Sequence, residues 1–448
     1  MKAKVKTFPQ GAHIYELKGD TAAKNIVDTS PPEEVVIPLQ QHIGAPCEPL
    51  IEKGDHVKIG QKIGASDSFV SAPVHASISG QVTAIEPRKT SLGRKVLSVV
   101  IKANGQQEFA GELRGFRDEL PDGEQIISLI REAGIVGMGG AAFPTHVKLS
   151  PPEGKEIDRV IVNGCECEPY LTGDHRLMLE NSEDIIFGLI AIMKALGVKK
   201  GFIGIEENKM DAIISMKDAS SPNQNIEVIP LKTKYPQGAE KMLIKAIVNR
   251  EVPSGGLPLD VGVVVINTGT AKAVTDAISN GIPLVERIVT VTGSNIKNPG
   301  NLRVRIGTSF RHLIAECGGL NEESGKIIMG GPMMGKTQHT LDIPVMKGTS
   351  GIVLLTGDEA FASEPGPCIR CARCVDVCPV NLVPIGLANC SEYEKFGDLE
   401  SLHVLDCIEC GSCSYICPAK RPLLHWIRLG KAKIAAMRAA ARNSTSSK

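Results

Sequence analysis

Aromatic residues are scarce in this 448-residue chain: 4% of the total, with a single Trp. A stacking platform for single-stranded nucleic acid is therefore not expected. Net charge is lacking too, since 50 Lys and Arg balance 50 Asp and Glu. That excludes a strongly basic nucleic-acid binder, though not a local basic patch. No stretch approaches the ~18 consecutive apolar residues that a membrane-crossing helix needs. The basic start, Met1 to Lys6, runs into Phe8, Pro9, Gln10 and Gly11 rather than an apolar run, so no signal peptide is expected. With 42% hydrophobic and 22% charged residues, the composition fits a folded globular chain of about three domains.

Cysteine, by contrast, is abundant, at 13 residues. In a reducing compartment a dense cysteine set reads as metal ligands before disulfides. Two matched runs lie 39 residues apart: Cys368-x-x-Cys371-x-x-Cys374-x-x-x-Cys378-Pro379 and Cys407-x-x-Cys410-x-x-Cys413-x-x-x-Cys417-Pro418. This is the run of bacterial two-cluster ferredoxins, whose fourth cysteine ligates the other cluster. Cys368, Cys371, Cys374 and Cys417 should hold one [4Fe–4S] cluster, and Cys407, Cys410, Cys413 and Cys378 the second. Structural zinc sites draw their ligands as two local pairs, which does not explain two matched runs of four. Cys47, Cys317 and Cys390 read as ordinary buried thiols, and the ten histidines show no ligand spacing.

Elsewhere the chain divides by rhythm. Residues 1–34 are polar and turn-rich and read as an extension. Residues 35–105 carry short β-type runs, such as Val35–Ile37, His56–Ile59, Phe69–Ser71 and Ser98–Ile101, punctuated by turns. Residues 106–120 read as a linker. Over 121–286, helical and strand patterns alternate, the mark of a parallel sheet covered by helices. Residues 287–345 suggest a small α+β module, residues 361–430 the cysteine-bearing domain, and residues 431–448 a basic, alanine-rich tail that frays over Asn443–Lys448.

Two loops stand out in the alternating region. In Gly137-Met138-Gly139-Gly140-Ala141-Ala142-Phe143, small residues allow close backbone approach, and exposed N–H groups favour an anionic group such as phosphate. Asn163-Gly164-Cys165-Glu166-Cys167-Glu168 follows an expected strand at 160–162, at the end where α/β sheets bind ligands. Asn267 ends another expected strand. Taken alone, the glycine loop reads equally as a bland turn and the acidic loop as a solvated one.

The chain resembles the C subunits of the Rnf (Rsx) electron-transport complexes over nearly its whole length. The resemblance is carried by Ile37–Gly44, Val70–His75, Gly137–Thr145, Asn163–Tyr170, the 287–317 region and both cysteine runs, in that order. It implies a multidomain α/β protein: an N-terminal barrel-sandwich (lipoyl-like) module, a Rossmann-like FMN/NADH domain similar to the flavin subunit of respiratory complex I, a β-grasp (SLBB-type) module and a two-cluster ferredoxin-like domain. The barrel-sandwich lacks a modified lysine, because the expected turn reads Ser66-Asp67-Ser68-Phe69.

The resemblance also implies the NADH-facing subunit of an ion-translocating ferredoxin:NAD⁺ oxidoreductase, a translocase peripheral to the cytoplasmic face of the bacterial membrane. Its cofactors would be non-covalent FMN and two [4Fe–4S] clusters, with NAD(H) as substrate. Its partners would be the membrane subunits and the ferredoxin-facing iron–sulfur subunit, with no nucleic acid. FMN would lie against Gly137, Gly139, Gly140, Lys148, Asn163, Glu166 and Asn267, and Phe143, Glu168 and Glu240 would face the dinucleotide. Met138, Cys165 and Thr268 depart from the complex I pattern. The alternatives are a cobalamin reductase-type flavin/iron–sulfur protein, which carries its barrel-like segment near the other end, and a non-catalytic relay or docking subunit.

Overall fold

The computed structural model describes residues 5–111, 115–322, 325–360 and 364–446, with side chains as far as 441. The N-terminal segment, expected as an extension, packs against the domains that follow. Phe8 and Ala12 are buried, Lys6 bridges Leu231, and Ala12 bridges Tyr235. Its strand β1 (Ile26–Asp28) joins a sheet almost 300 residues downstream, pairing with residues 301–303.

Strands β2 (Glu34–Pro38), β3 (Glu48–Pro49), β4 (His56–Val57), β5 (Lys62–Ala65), β6 (Val74–His75), β7 (Gly80–Lys89) and β8 (Lys95–Ala103) form two small sheets, ordered β2-β8-β7-β4 and β3-β5-β6. Alternate residues such as Val35 and Ile37, or Val99 and Ile101, point inward to a shared core. Residues 69–71, expected as a strand, are not one. Instead the Phe69 carbonyl accepts a 2.9 Å bond from His146 Nε2, and its ring meets the imidazole edge-on at 5.6 Å.

The middle of the chain runs α1 (Gly123–Glu132), α2 (Thr145–Lys148), β9 (Arg159–Asn163), α3 (Gly173–Glu180), α4 (Ser182–Ala195), β10 (Gly201–Glu206), α5 (Met210–Ser220), β11 (Ile226–Leu231), α6 (Glu240–Val248), β12 (Val263–Asn267) and α7 (Thr268–Asn280). Asp122 starts α1 by accepting from Gln125 N at 2.8 Å. The sheet is parallel, in the order β11-β10-β9-β12. Val160 and Val162 belong to the core on one face and Ile161 to the core on the other, as a doubly covered sheet requires.

Next come β13 (Glu286–Thr292), β14 (Gly300–Arg305), α8 (Phe310–Glu316), β15 (Gly325–Met329), β16 (Lys336–Gln338), β17 (Gly351–Thr356) and the short α9 (Gly357–Ala360). Their sheet, ordered β1-β14-β13-β17-β15-β16, takes in β1 and β17, both outside residues 287–345. The cysteine-bearing domain holds α10 (Arg373–Asp376), α11 (Pro384–Glu392), α12 (Phe396–Ser401), α13 (Ser412–Tyr415) and α14 (Leu423–Ser446). The basic tail from Lys431 continues α14 as far as Ser446, past the start of the Asn443–Lys448 stretch expected to fray. No helix among the described residues is long and apolar enough to cross a membrane.

Candidate redox site

Strand β9 has β10 on one side and β12 on the other, so the chain order reverses between β9 and β12. Open α/β sheets bind ligands beyond the carboxyl ends of their strands at such a switch. Here the two strands end in register on Asn163 and Asn267. The glycine loop crosses this edge. Its inner amides are engaged, Gly137 N with Phe143 O at 2.8 Å and Met138 N with Thr270 Oγ1 at 2.9 Å, while Gly139, Gly140 and Ala141 are exposed. Gly140 sits at φ +124°, a conformation that a side chain would strain. A Cβ on Gly139 would lie 3.6 Å from Asn267 Cβ.

Lys148 Nζ, from the short helix after this loop, donates to Glu240 Oε1 at 2.8 Å and to Val265 O at 3.1 Å. Asn163 donates to Gly238 O at 2.8 Å, which ties the β9 tip to the turn before α6. Asn267 caps α7 by accepting from Gly269 N at 2.8 Å and donates to Asp174 Oδ2 at 2.7 Å. The structure therefore gathers Gly137, Gly139, Gly140, Lys148, Asn163, Glu240 and Asn267 around one crevice, with the half-buried Phe143 closing the loop.

The two loop glutamates are occupied elsewhere. Glu166 caps α3, accepting from Asp174 N at 2.7 Å and His175 N at 3.1 Å. Burial pushes its carboxyl up to about 7. Glu168 accepts from Met333 N at 3.0 Å and Met334 N at 2.8 Å, with the Tyr235 hydroxyl 3.4 Å from Oε1, and burial raises its carboxyl as well. Both of its oxygens are thus engaged by protein donors, where the resemblance implied a group open to the dinucleotide.

Lys18, Tyr235 and Arg287 were not anticipated from the sequence. Lys18 reaches the acidic loop from the N-terminal segment. The Tyr235 hydroxyl also lies 2.7 Å from the carbonyl of Cys410. The buried Arg287 guanidinium donates to Thr349 O at 3.2 Å and contacts the Met138 sulfur under the glycine loop. Burial pushes it down to about 10, opposed by Asp174. A charged residue within the apolar strand Glu286–Thr292 is the one signal the sequence offered for it.

The eight cysteines of the matched runs line two cavities. One cavity is lined by Cys368, Cys371, Cys374 and Cys417, the other by Cys378, Cys407, Cys410 and Cys413. The two runs fold alike: Arg370 and Ala372 in one, Glu409 and Gly411 in the other, flank the second cysteine in left-handed conformation. Backbone amides point at the first sulfur in both, Arg370 N at 3.5 Å and Glu409 N at 3.4 Å. Cys368 and Cys371 are exposed, whereas Cys378, Cys410 and Cys413 are buried.

These residues fit the groups that the sequence implies. Each cavity offers four thiols, the donor set of a [4Fe–4S] cluster. The crevice offers an ammonium, two side-chain amides and exposed glycine peptides, suited to a phosphate and a flavin ring. The turn after the glycine loop also leaves Thr145 Oγ1 and His146 Nδ1 buried without a partner among the described residues.

Comparison with known proteins is decisive. Over 98% of its length, this chain is 50% identical to the C subunit of the Na(+)-translocating ferredoxin:NAD(+) oxidoreductase complex of Acetobacterium woodii, covering 99% of that protein. The chain belongs to the RnfC family. Its counterpart in the proton-translocating ferredoxin:NAD(+) oxidoreductase complex of Clostridium ljungdahlii is 49% identical, with 96% of this chain and 94% of that protein covered. The C subunit of the ion-translocating oxidoreductase complex of Rhodobacter capsulatus is 44% identical, with 81% and 70% covered. Four family profiles match along this RnfC chain: the RnfC barrel sandwich hybrid domain (6–106), the Nuo51 FMN-binding domain (130–276), the SLBB domain (288–337) and a 4Fe-4S dicluster domain (361–418). The parallel-sheet domain is thus an FMN-binding domain and the cysteine-bearing one a dicluster domain. The barrel profile begins at residue 6, so it takes in the N-terminal segment expected as an extension.

Proposed function

We propose that this RnfC chain is the NADH-facing subunit of an ion-translocating ferredoxin:NAD⁺ oxidoreductase, acting at the cytoplasmic face of a bacterial membrane and held there by partner subunits. FMN, when bound, supplies two-electron chemistry toward NAD(H) and one-electron chemistry toward iron–sulfur clusters. Gly137, Gly139, Gly140, Lys148, Asn163 and Asn267 hold the flavin, Lys148 and the exposed loop amides meeting its phosphate. Phe143 and Glu240 border the dinucleotide, where a carboxylate can accept bonds from ribose hydroxyls. Glu166 and Glu168 act from behind the site, the first through α3 and the second through the Tyr235 contact.

The observation that carries this reading is the contact between the two redox regions. The Tyr235 hydroxyl, beside Glu168, donates at 2.7 Å to the carbonyl of a ligand of the buried cluster, Cys410. The buried cluster therefore lies nearer the flavin domain, and the cluster of exposed Cys368 and Cys371 is the outlet toward a partner subunit. Anaerobic titration of the purified chain tests the assignment: NADH should bleach the visible flavin absorbance and then reduce the clusters. Flavin-replete, cluster-replete protein that stays oxidised under excess NADH would leave a relay or docking role instead.

A further inference from the structure

The loop that follows β9 is bent against its own preference. Glu166 and Tyr170 both adopt left-handed conformations, at φ +45° and +70°. A non-glycine residue in this region is strained and persists only where its surroundings enforce it. Here the bend turns three loop carbonyls toward one point. The Lys18 ammonium occupies that point, donating to Glu166 O and Glu168 O at 2.9 Å each and to Leu171 O. An ammonium has three N–H groups, and all are used. Further bonds fasten the same segment: Tyr170 N donates to Glu16 O at 2.9 Å, and Thr172 Oγ1 to Thr21 Oγ1 at 2.7 Å.

We propose that Lys18, contributed from outside the flavin-binding domain, is a positioning residue of the flavin site. It acts through a continuous series of contacts. Lys18 fixes the backbone of Glu166, and the Glu166 carboxylate holds the first amides of α3, Asp174 N and His175 N. Asp174 in turn accepts from Asn267 Nδ2 at 2.7 Å, and Asn267 stands beside Gly139 of the glycine loop. Without the cation, the three carbonyls lose their shared donor and the loop relaxes toward right-handed conformations at 166 and 170. The cap of α3 and the orientation of the Asn267 amide go with it. Burial disfavours the charged form of Lys18, so an apolar side chain would fill the same space with less desolvation. What the ammonium adds is direction, toward three carbonyls at once.

This inference rests on FMN occupying the crevice at the strand tips. The test uses the full chain with its clusters intact, stripped of flavin and titrated with FMN while flavin fluorescence is followed. Lys18→Met should bind FMN about tenfold more weakly, the scale of one lost charge-assisted hydrogen bond. Its iron and labile sulfide should stay at the level of the parent chain. Propylammonium should restore FMN affinity to Lys18→Ala but not to Lys18→Met, whose side chain fills the space. Should Lys18→Met fail to accumulate, Lys18→Arg takes its place; a guanidinium cannot direct three bonds from one nitrogen, so weakening is again expected. Asn267→Ala, in the crevice itself, separates the two readings. Full FMN affinity in the Lys18 variant, with Asn267→Ala impaired, overturns the role of Lys18 alone. Full affinity in both overturns the crevice assignment too, and no effect of propylammonium on Lys18→Ala overturns the directional role.

Discussion

A buried carboxyl at the end of a helix carries its own pH signature. Burial pushes the Glu166 carboxyl up to about 7 in the folded chain, from its ordinary 4.5. The folded state therefore binds this proton more tightly than the unfolded state does. The stabilisation it brings is fully present below about 4.5 and is lost as pH rises through about 7. Glu166→Gln should flatten the stability profile across that window, read from urea midpoints at a series of pH values; parallel profiles for parent and variant would show that the carboxyl does not titrate there. Tyr235 gives a second test at this scale. Tyr235→Phe leaves the Cys410 carbonyl without its hydroxyl donor, and an unmet buried acceptor costs about 1–3 kcal/mol. Denaturant midpoints of the cluster-loaded protein measure this, and an unchanged midpoint would mean that the bond contributes nothing. Neither Tyr235, Lys18 nor Arg287 was legible in the sequence. Their contacts span 175, 148 and 149 residues, and local patterning says nothing about what a fold brings together over such distances.

Elements were legible wherever their cause is local. The run 160–162 was expected as a strand and lies within β9, and the alternation over 121–286 does build a parallel sheet. Helix α3 was missed because its start is not signalled by a neighbour. Thr172 precedes it without a side-chain cap bond, and the capping carboxylate comes from Glu166, beyond the turn. The cysteine runs lie at the opposite extreme, since ligand spacing is a local property and the crossing of the fourth cysteine is expected from it. Cys417→Ala should therefore empty the Cys368 site while sparing the Cys407 site, so that iron falls from ~8 to ~4 per chain. Iron counting with cluster spectroscopy checks this. Loss of the cluster held by Cys407, Cys410 and Cys413 would mean that each run serves its own cluster after all.

At the scale of the whole molecule, the succession of domains was legible and their docking was not. Lys347 shows why. Its buried ammonium reaches Pro73 O in the barrel-sandwich and Gly134 O beside the glycine loop, both at 2.6 Å, and burial pushes it down to about 7. Nothing in the surrounding residues announces that three domains meet there. Docking also decides how the two clusters meet solvent and partners. The FMN-binding domain covers the buried cluster through Tyr235, and a Cβ on Gly411 would come within 2.9 Å of Met333 O, so the SLBB hairpin closes over the same side. Cys368 and Cys371 are exposed. A chelator acting with an oxidant should therefore release iron in two phases of ~4 each, the fast one from the Cys368 site. Cys417→Ala should lose the fast phase and keep the slow one. If its remaining iron leaves fast, the Cys407 site is open to solvent, and the order of electron flow from flavin to buried cluster to exposed cluster fails with it. If it leaves slowly, the cluster that a partner can approach at short range is the one outside the reach of the FMN-binding domain. Substitutions at the exposed Ile369 and Arg370 should then slow electron delivery to partners while NADH still bleaches the flavin.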